Sequence, residues 1–190
     1  FDGGATFPFR GKGYRIPLLA EVLDAFPGVR FSIDIKDRDL GAAERVASMI
    51  ADKGAAKRVI VGSFHDRTMA FVRKNFPGLI TSFSRNDTLR FIALRKLPGG
   101  GPTPQGEAML IPEFIGGGQY EYQGKGATRG VRIITRGLIE DAHRRGIPVL
   151  AWTINRPENM ERLIRWGIDG IVTDRIDILK DVLAGHVPGR

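Results

Sequence analysis

Arg30-Phe31-Ser32-Ile33-Asp34-Ile35-Lys36 is the stretch on which the fold turns. It is short, rich in residues that favour extended backbone, and alternates in polarity from Phe31 onward. On a β-strand, residues i and i+2 share a face. Phe31, Ile33 and Ile35 therefore point one way, and Ser32, Asp34 and Lys36 the other. In a barrel the apolar set packs under helices and the polar set looks inward near the mouth. A carboxylate and an ammonium on an inward face are costly unless they are paired or bind an ion. Two readings follow. One is a plain salt bridge within the barrel. The other is a site where Asp34 holds part of a hard cation and Lys36 faces a phosphate; oxygen ligands suit Mg²⁺ or Ca²⁺.

Working outward, apolar runs alternate with helical patterns. An opening helix spans about Leu18 to Phe26, and another runs from Leu40 to Lys53, closed by Gly54. Strands follow at Arg58–Phe64, Leu79–Ser84, Ala108–Pro112, Pro148–Ile154 and Gly170–Asp174. Helices are expected at Thr68–Asn75, Asp87–Leu97, Thr135–Arg145, Glu158–Trp166 and Ile176–Leu183. Strands that alternate with helices imply βαβ units and a parallel sheet. No glycine-rich dinucleotide fingerprint follows a strand. Polar residues instead stand at strand C-terminal ends, which converge on one face in a barrel. The expected fold is thus α/β, a (β/α)8 barrel of which about six of eight units are present. The first two strands are expected to be missing, before Phe1. Residues 1–15 and 98–131 read as long irregular segments within a single domain, and loops of such length often carry function.

The chain has 190 residues, 42% of them hydrophobic and 26% charged, which fits one globular domain. It contains no cysteine, so disulfides and thiolate metal sites are excluded. No apolar run is long enough to span a bilayer as a helix. Compartment stays open, because a leader or anchor ahead of Phe1 is not visible here. The net charge of +8 favours anionic partners such as phosphate esters or acidic headgroups. The charge is spread along Arg67, Arg73, Lys74, Arg85, Arg90, Arg95 and Lys96, without the aromatic-interleaved stripe of a single-strand binder. No nucleic-acid partner is expected; contact with a membrane surface is left open, and the oligomeric state is not legible.

Five segments carry a resemblance. They are Arg15-Ile-Pro-Leu-Leu-Ala-Glu-Val-Leu23, Phe31-Ser-Ile-Asp-Ile-Lys36, Val61-Gly-Ser-Phe64, Ala151-Trp-Thr-Ile-Asn155 and Gly167-Ile-Asp-Gly-Ile-Val-Thr-Asp174. In this order and spacing they resemble the motifs of the glycerophosphodiester phosphodiesterases, with Leu18 where Thr is common and Asp34 where Glu is more frequent. The resemblance implies one divalent cation, Mg or Ca, and hydrolysis of glycerophosphodiesters to glycerol 3-phosphate and an alcohol. It casts Asp34 as a metal ligand and Lys36 as the catalytic cation at the phosphoryl oxygens. Trp152, Ser63, Phe64 and Asn155 become substrate-binding residues, with Asn155 on the loop after its strand. It also implies an upstream His-Arg-Gly, a Glu-x-Asp metal pair and a His-Asp, and nothing in residues 1–30 matches these. Residues 1–15 look like the tail of an insertion. This chain alone is therefore expected to be inactive or nearly so. The alternative is a non-catalytic barrel fragment or anion-binding module that retains the phosphate cup. The substrate is a small phosphodiester; choline, ethanolamine, inositol and lysophospholipid headgroups all remain open.

Other motifs carry less. Ser63-Phe64-His65-Asp66 is a triad only on paper, since triad partners must converge in space, and Ser63 lacks the nucleophile elbow. His65 is expected near the barrel mouth, His143 on an exposed helix face and His186 in a Gly/Pro tail. Gly124-Lys125-Gly126 fails as a phosphate loop, because Gln119 stands where a glycine is needed and no Ser or Thr follows Lys125.

Overall fold

The computed structural model of the chain describes residues 6–97, 101, 104–115 and 130–186. Its elements are α1 (Leu19–Ala25), β1 (Phe31–Asp34), α2 (Leu40–Asp52), β2 (Val59–Gly62), α3 (Asp66–Asn75), β3 (Ile80–Thr81) and α4 (Arg85–Leu94). They continue with β4 (Met109–Pro112), β5 (Phe114–Ile115), β6 (Val131–Arg132), α5 (Arg136–His143), β7 (Val149–Trp152), α6 (Pro157–Arg165), β8 (Gly170–Ile171) and α7 (Ile176–His186).

β1, β2 and β3 pair in parallel, as do β4, β7 and β8. A parallel bridge from Ser82 to Ala108 joins the two sheets into one arc. The main strands are thus neighbours in chain order. Sequential parallel strands with crossovers of one hand place every helix on the same face, which is the barrel arrangement rather than the doubly wound one. Among the described residues the arc does not close, and β1 and β8 each pair along one edge only.

The alternation read from the sequence governs the packing. Ile35, Val59, Val61, Val72, Ala43, Ala47 and Ile50 form a core between β1–β2 and the helices α2 and α3. Met109, Ile111, Val149 and Ala151 meet Leu138, Ile139, Met160 and Leu163 in a second core under α5 and α6. The opposite strand faces are tightly spaced. A methyl group on Gly170 would sit 2.9 Å from the Leu150 side chain, so only glycine lets these neighbours approach.

Helix starts follow local chemistry. Asp39, Ser84 and Thr135 accept backbone N–H bonds from Gly41, Asp87 and Leu138, satisfying donors that the first helical turn leaves open. α1 differs: Leu18 occupies the cap position and has no side-chain acceptor. Glu21 partly compensates, taking the Leu18 N–H at 2.8 Å.

Two expectations need revision. Residues 98–131 are not one loop in their described part: besides β4, Phe114–Ile115 pairs antiparallel with Val131–Arg132. β5–β6 escaped the sequence reading because each strand is two residues long and shows no period. Second, His186 ends α7 rather than lying in an irregular tail. Gly124-Lys125-Gly126 and residues 1–5 lie outside the described residues.

Candidate active site

The C-terminal ends of β1, β2 and β7 bring four of the singled-out residues into one chain of contacts. Asp34 ends β1, in register with Gly62 of β2. Lys36, two residues on, returns its ammonium to the Asp34 carboxylate as an ion pair. The Lys36 Nζ also stands 5.0 Å from the ring centroid of Phe64, within cation–π range. Phe64 meets Trp152 edge to face, ring centroids 5.5 Å apart at 85°. Ser32, Asp34 and Lys36 are exposed while Phe31, Ile33 and Ile35 are more covered, as the alternation requires. The pair faces the mouth rather than a dry core, and the Lys36 side chain is 72% exposed. Its ammonium can thus reach an incoming anion without being drawn out of the protein.

The remaining residues frame this mouth. Ser63 shares the helix-side face with Val59 and Val61, and it is buried. Its hydroxyl donates to the Ile35 carbonyl at 2.7 Å and accepts from the His65 N–H at 3.2 Å. The expectation that Ser63 touches substrate therefore meets a hydroxyl turned into the wall, because i and i+1 on a strand face opposite ways. His65 stands at the N-terminal cap position of α3, and its Nε2 lies 3.3 Å from the Lys36 carbonyl. It braces the backbone that carries Lys36.

Asn155 lies in the loop after β7, as its spacing from Trp152 demands. Its Oδ1 accepts from the Thr173 hydroxyl at 3.0 Å and the Asp174 N–H at 2.9 Å. Its Nδ2 donates to Asp174 at 3.1 Å. Asn155 thus clasps the loops after β7 and β8.

Glu113 was not singled out. It follows β4 and is buried, held by Arg162 at 2.5 Å and Arg132 at 3.2 Å. The backbone carbonyl of Glu113 also accepts from Ile133 N at 2.9 Å. Glu113 therefore pins the β5–β6 ribbon to α6, on the helix side of the strands. An acidic residue directly after an apolar strand was the available signal, but its arginine partners lie far along the sequence.

A cavity of about 570 Å³ opens at the other end of the strands, lined by Arg73, Thr81, Gln105 and Glu107 among others. Its Arg73 and Glu107 are used structurally, Glu107 accepting from the Thr81 N–H at 2.7 Å. Arg73 donates to Thr81, the Ser82 carbonyl and the Gln105 carbonyl and pairs with Asp87 at 2.9 Å. In barrels the chemistry sits at the C-terminal strand ends, which is where Lys36 and Trp152 stand.

Comparison with known proteins bears on this arrangement. The sequence profile of the Glycerophosphoryl diester phosphodiesterase family matches residues 2–178. A probable glycerophosphodiester phosphodiesterase of Mycobacterium tuberculosis is 32% identical over 182 residues, covering 91% of this chain and 62% of that protein. The chain thus spans less than two thirds of that relative's length. Among solved structures, a glycerophosphoryl diester phosphodiesterase domain from Mycobacterium tuberculosis superposes with a TM-score of 0.72 at 19% identity, covering 94% of this chain and 67% of that one. An Oleispira antarctica phosphodiesterase in complex with sn-glycerol 3-phosphate superposes at 0.60 and 15% identity, covering 89% and 62%. These likenesses support the barrel-type α/β fold.

Proposed function

We propose that this chain, which belongs to the glycerophosphoryl diester phosphodiesterase family, supplies the phosphate-facing part of a site that hydrolyses glycerophosphodiesters to glycerol 3-phosphate and an alcohol. One observation carries the reading: the Asp34–Lys36 pair stands at the strand ends beside the Phe64–Trp152 contact. That places a cation and an apolar wall around the same opening. The Oleispira relative's bound product supports a small phosphate ester as the occupant.

In this reading a glycerol hydroxyl gives up its proton and attacks phosphorus while the bond from phosphorus to the alcohol oxygen breaks; the alcohol departs protonated, and water then opens the cyclic phosphate to glycerol 3-phosphate. Lys36 neutralises the phosphoryl oxygens as the pentacoordinate state forms. A cation fixed in place before the reaction needs no reorganisation to do so. Trp152 and Phe64 hold the glycerol or leaving group against their rings. Ser63 and Asn155 act behind them, fixing the strand-end loops.

A divalent cation, Mg or Ca, would supply charge stabilisation at the phosphoryl oxygens and lower the pKa of a bound hydroxyl. Such ions take about six to eight oxygen ligands. Among the described residues no group of three or more His, Cys, Asp or Glu is placed to hold a metal. Asp34 would be one ligand of such a shell, and the described residues do not form that shell by themselves. The paired histidines and Glu-x-Asp that the resemblance calls for find no match in residues 1–30 either, so the chain alone is expected to be inactive or nearly so.

Glycerophosphocholine incubated with purified residues 1–190 and Mg²⁺ or Ca²⁺ tests this: no choline release is expected. Turnover near the enzyme median of about 10 s⁻¹ would refute the inactivity. A chimera that places the N-terminal residues of the Mycobacterium relative before this chain is expected to hydrolyse the same substrate. A folded chimera that binds glycerol 3-phosphate without turnover favours the second reading, an anion-binding module. The solvent-reachable, already paired Lys36 fits that role too.

A further inference from the structure

The strand ladder that carries the chain toward Lys36 stops one residue short of it. Ile35 N–H donates to the Gly62 carbonyl at 2.8 Å, and residues 35–39 form neither helix nor strand. The next tie along the chain is local: the Asp37 carboxylate accepts from the Asp39 N–H at 2.9 Å. Lys36 therefore sits on irregular backbone. A side chain aimed at a phosphate is only as well placed as the backbone that holds it.

Three consecutive residues after β2 take over where the ladder ends. The Ser63 hydroxyl donates to the Ile35 carbonyl at 2.7 Å. The Phe64 ring meets the Lys36 ammonium, 5.0 Å from Nζ to centroid. The His65 Nε2 stands 3.3 Å from the Lys36 carbonyl. A carbonyl can only accept, so Nε2 carries the hydrogen. The Ser63 hydroxyl accepts in turn from the His65 N–H at 3.2 Å, which closes the clasp on itself.

Helix chemistry does not account for His65. It occupies the cap position of α3, where Asn, Asp or Ser would satisfy an open N–H of the first turn. Its side chain makes no such bond. The imidazole reaches across to the segment after β1 instead, so its hydrogen bond serves the residue beside the mouth rather than its own helix.

We propose that His65 is the positioning residue for Lys36: its ring fixes the Lys36 peptide, so that the ammonium stands at the mouth beside Phe64 before an anion arrives. A group held in place beforehand loses less freedom on binding. The role deepens the hydrolytic reading and rests on Lys36 facing the phosphate.

Two amide variants separate positioning from stability. The side-chain nitrogen of glutamine lies the same number of bonds from Cβ as the histidine Nε2, so His65→Gln can still donate to the Lys36 carbonyl. Asparagine is too short for that, but it is a favoured cap for α3. The readouts are calorimetric titration of sn-glycerol 3-phosphate into residues 1–190 with Mg²⁺ present, and the Lys36 carbonyl ¹³C resonance. His65→Ala and His65→Asn should each weaken binding about fivefold, within the span of one hydrogen bond, and both should move the resonance. His65→Gln should keep affinity and resonance close to the parent's. His65→Asn should melt no lower than the parent, so its lost affinity is not lost fold. The proposal is overturned if His65→Asn binds as tightly as the parent, or if His65→Gln fails as badly as His65→Ala. Lys36→Ala tells the two failures apart. A fall in affinity there, with none in His65→Asn, overturns the role of His65 and leaves the hydrolytic reading standing. Equal binding by Lys36→Ala, or no binding by the parent, overturns that reading and the role of His65 with it.

Discussion

The rings of Phe64 and Trp152 touch across the mouth although their strands are not neighbours. Phe64 follows β2 and Trp152 ends β7, with β3 and β4 between them in the arc. The contact closes part of the opening beside Lys36, so the two halves of the arc are coupled at the candidate site.

That coupling is measurable. Edge-to-face pairs contribute about 0.5–1.5 kcal/mol beyond area burial. A double-mutant cycle of Phe64→Ala and Trp152→Ala, read by urea denaturation, should return a coupling in that range. Additive single effects would show that the rings are neighbours without interaction.

Leu18 offers a stabilising change. It caps α1 without a side-chain acceptor, and its side chain is largely solvent-exposed. Leu18→Thr supplies the missing hydroxyl, and good caps contribute about 0.5–2 kcal/mol. The thermal midpoint should rise by about 1–8 °C. An unchanged or lower midpoint would mean that Glu21 already satisfies the first turn.

Asp141 sets a pH dependence. Burial pushes its carboxyl up, but the hydrogen bond and charge of Lys96, with the charges of Arg144 and Arg95, outweigh that and hold it below the ordinary aspartate value. A carboxyl lowered in the folded state stabilises above its unfolded value, and that contribution is lost as pH falls through the folded one. Asp141→Asn should therefore cost about 1.5–3 kcal/mol at neutral pH, the range for hydrogen bonds to charged groups. The gap between parent and variant should begin to narrow as pH falls below about 4 and close only below the lower folded-state value. A gap that does not change with pH would remove the charge from the explanation.

Glu113 should prove a stability residue. Truncating one partner of a buried charge cluster costs about 3–5 kcal/mol, because Arg132 and Arg162 lose the carboxylate that both approach. Glu113→Ala should lower the denaturation midpoint strongly. Wild-type stability would show that the arginines find other partners.

Much of this was legible in the chain. The six main strands and seven helices follow from apolar runs, periodicity and stop signals, because each is a local property. The shared face of Asp34 and Lys36 follows from strand geometry alone. Alternation also separates Ser63 from Phe64, so one of two adjacent residues faces the mouth and the other the wall. The Phe64–Trp152 contact is not legible, since it depends on the curvature of the arc and on non-neighbouring strands. Glu113 and its arginines were missed for the same reason: no local pattern joins an acid after β4 to cations on β6 and α6.

The phosphate-facing role of Lys36 is tested most directly by titrating sn-glycerol 3-phosphate into residues 1–190 and into Lys36→Ala, with Mg²⁺ present, by calorimetry. Binding near ~1 mM by the parent and a loss of roughly tenfold, 1.4 kcal/mol, in the variant is the expected outcome. Equal affinity in the two proteins, or no binding by the parent, would contradict it.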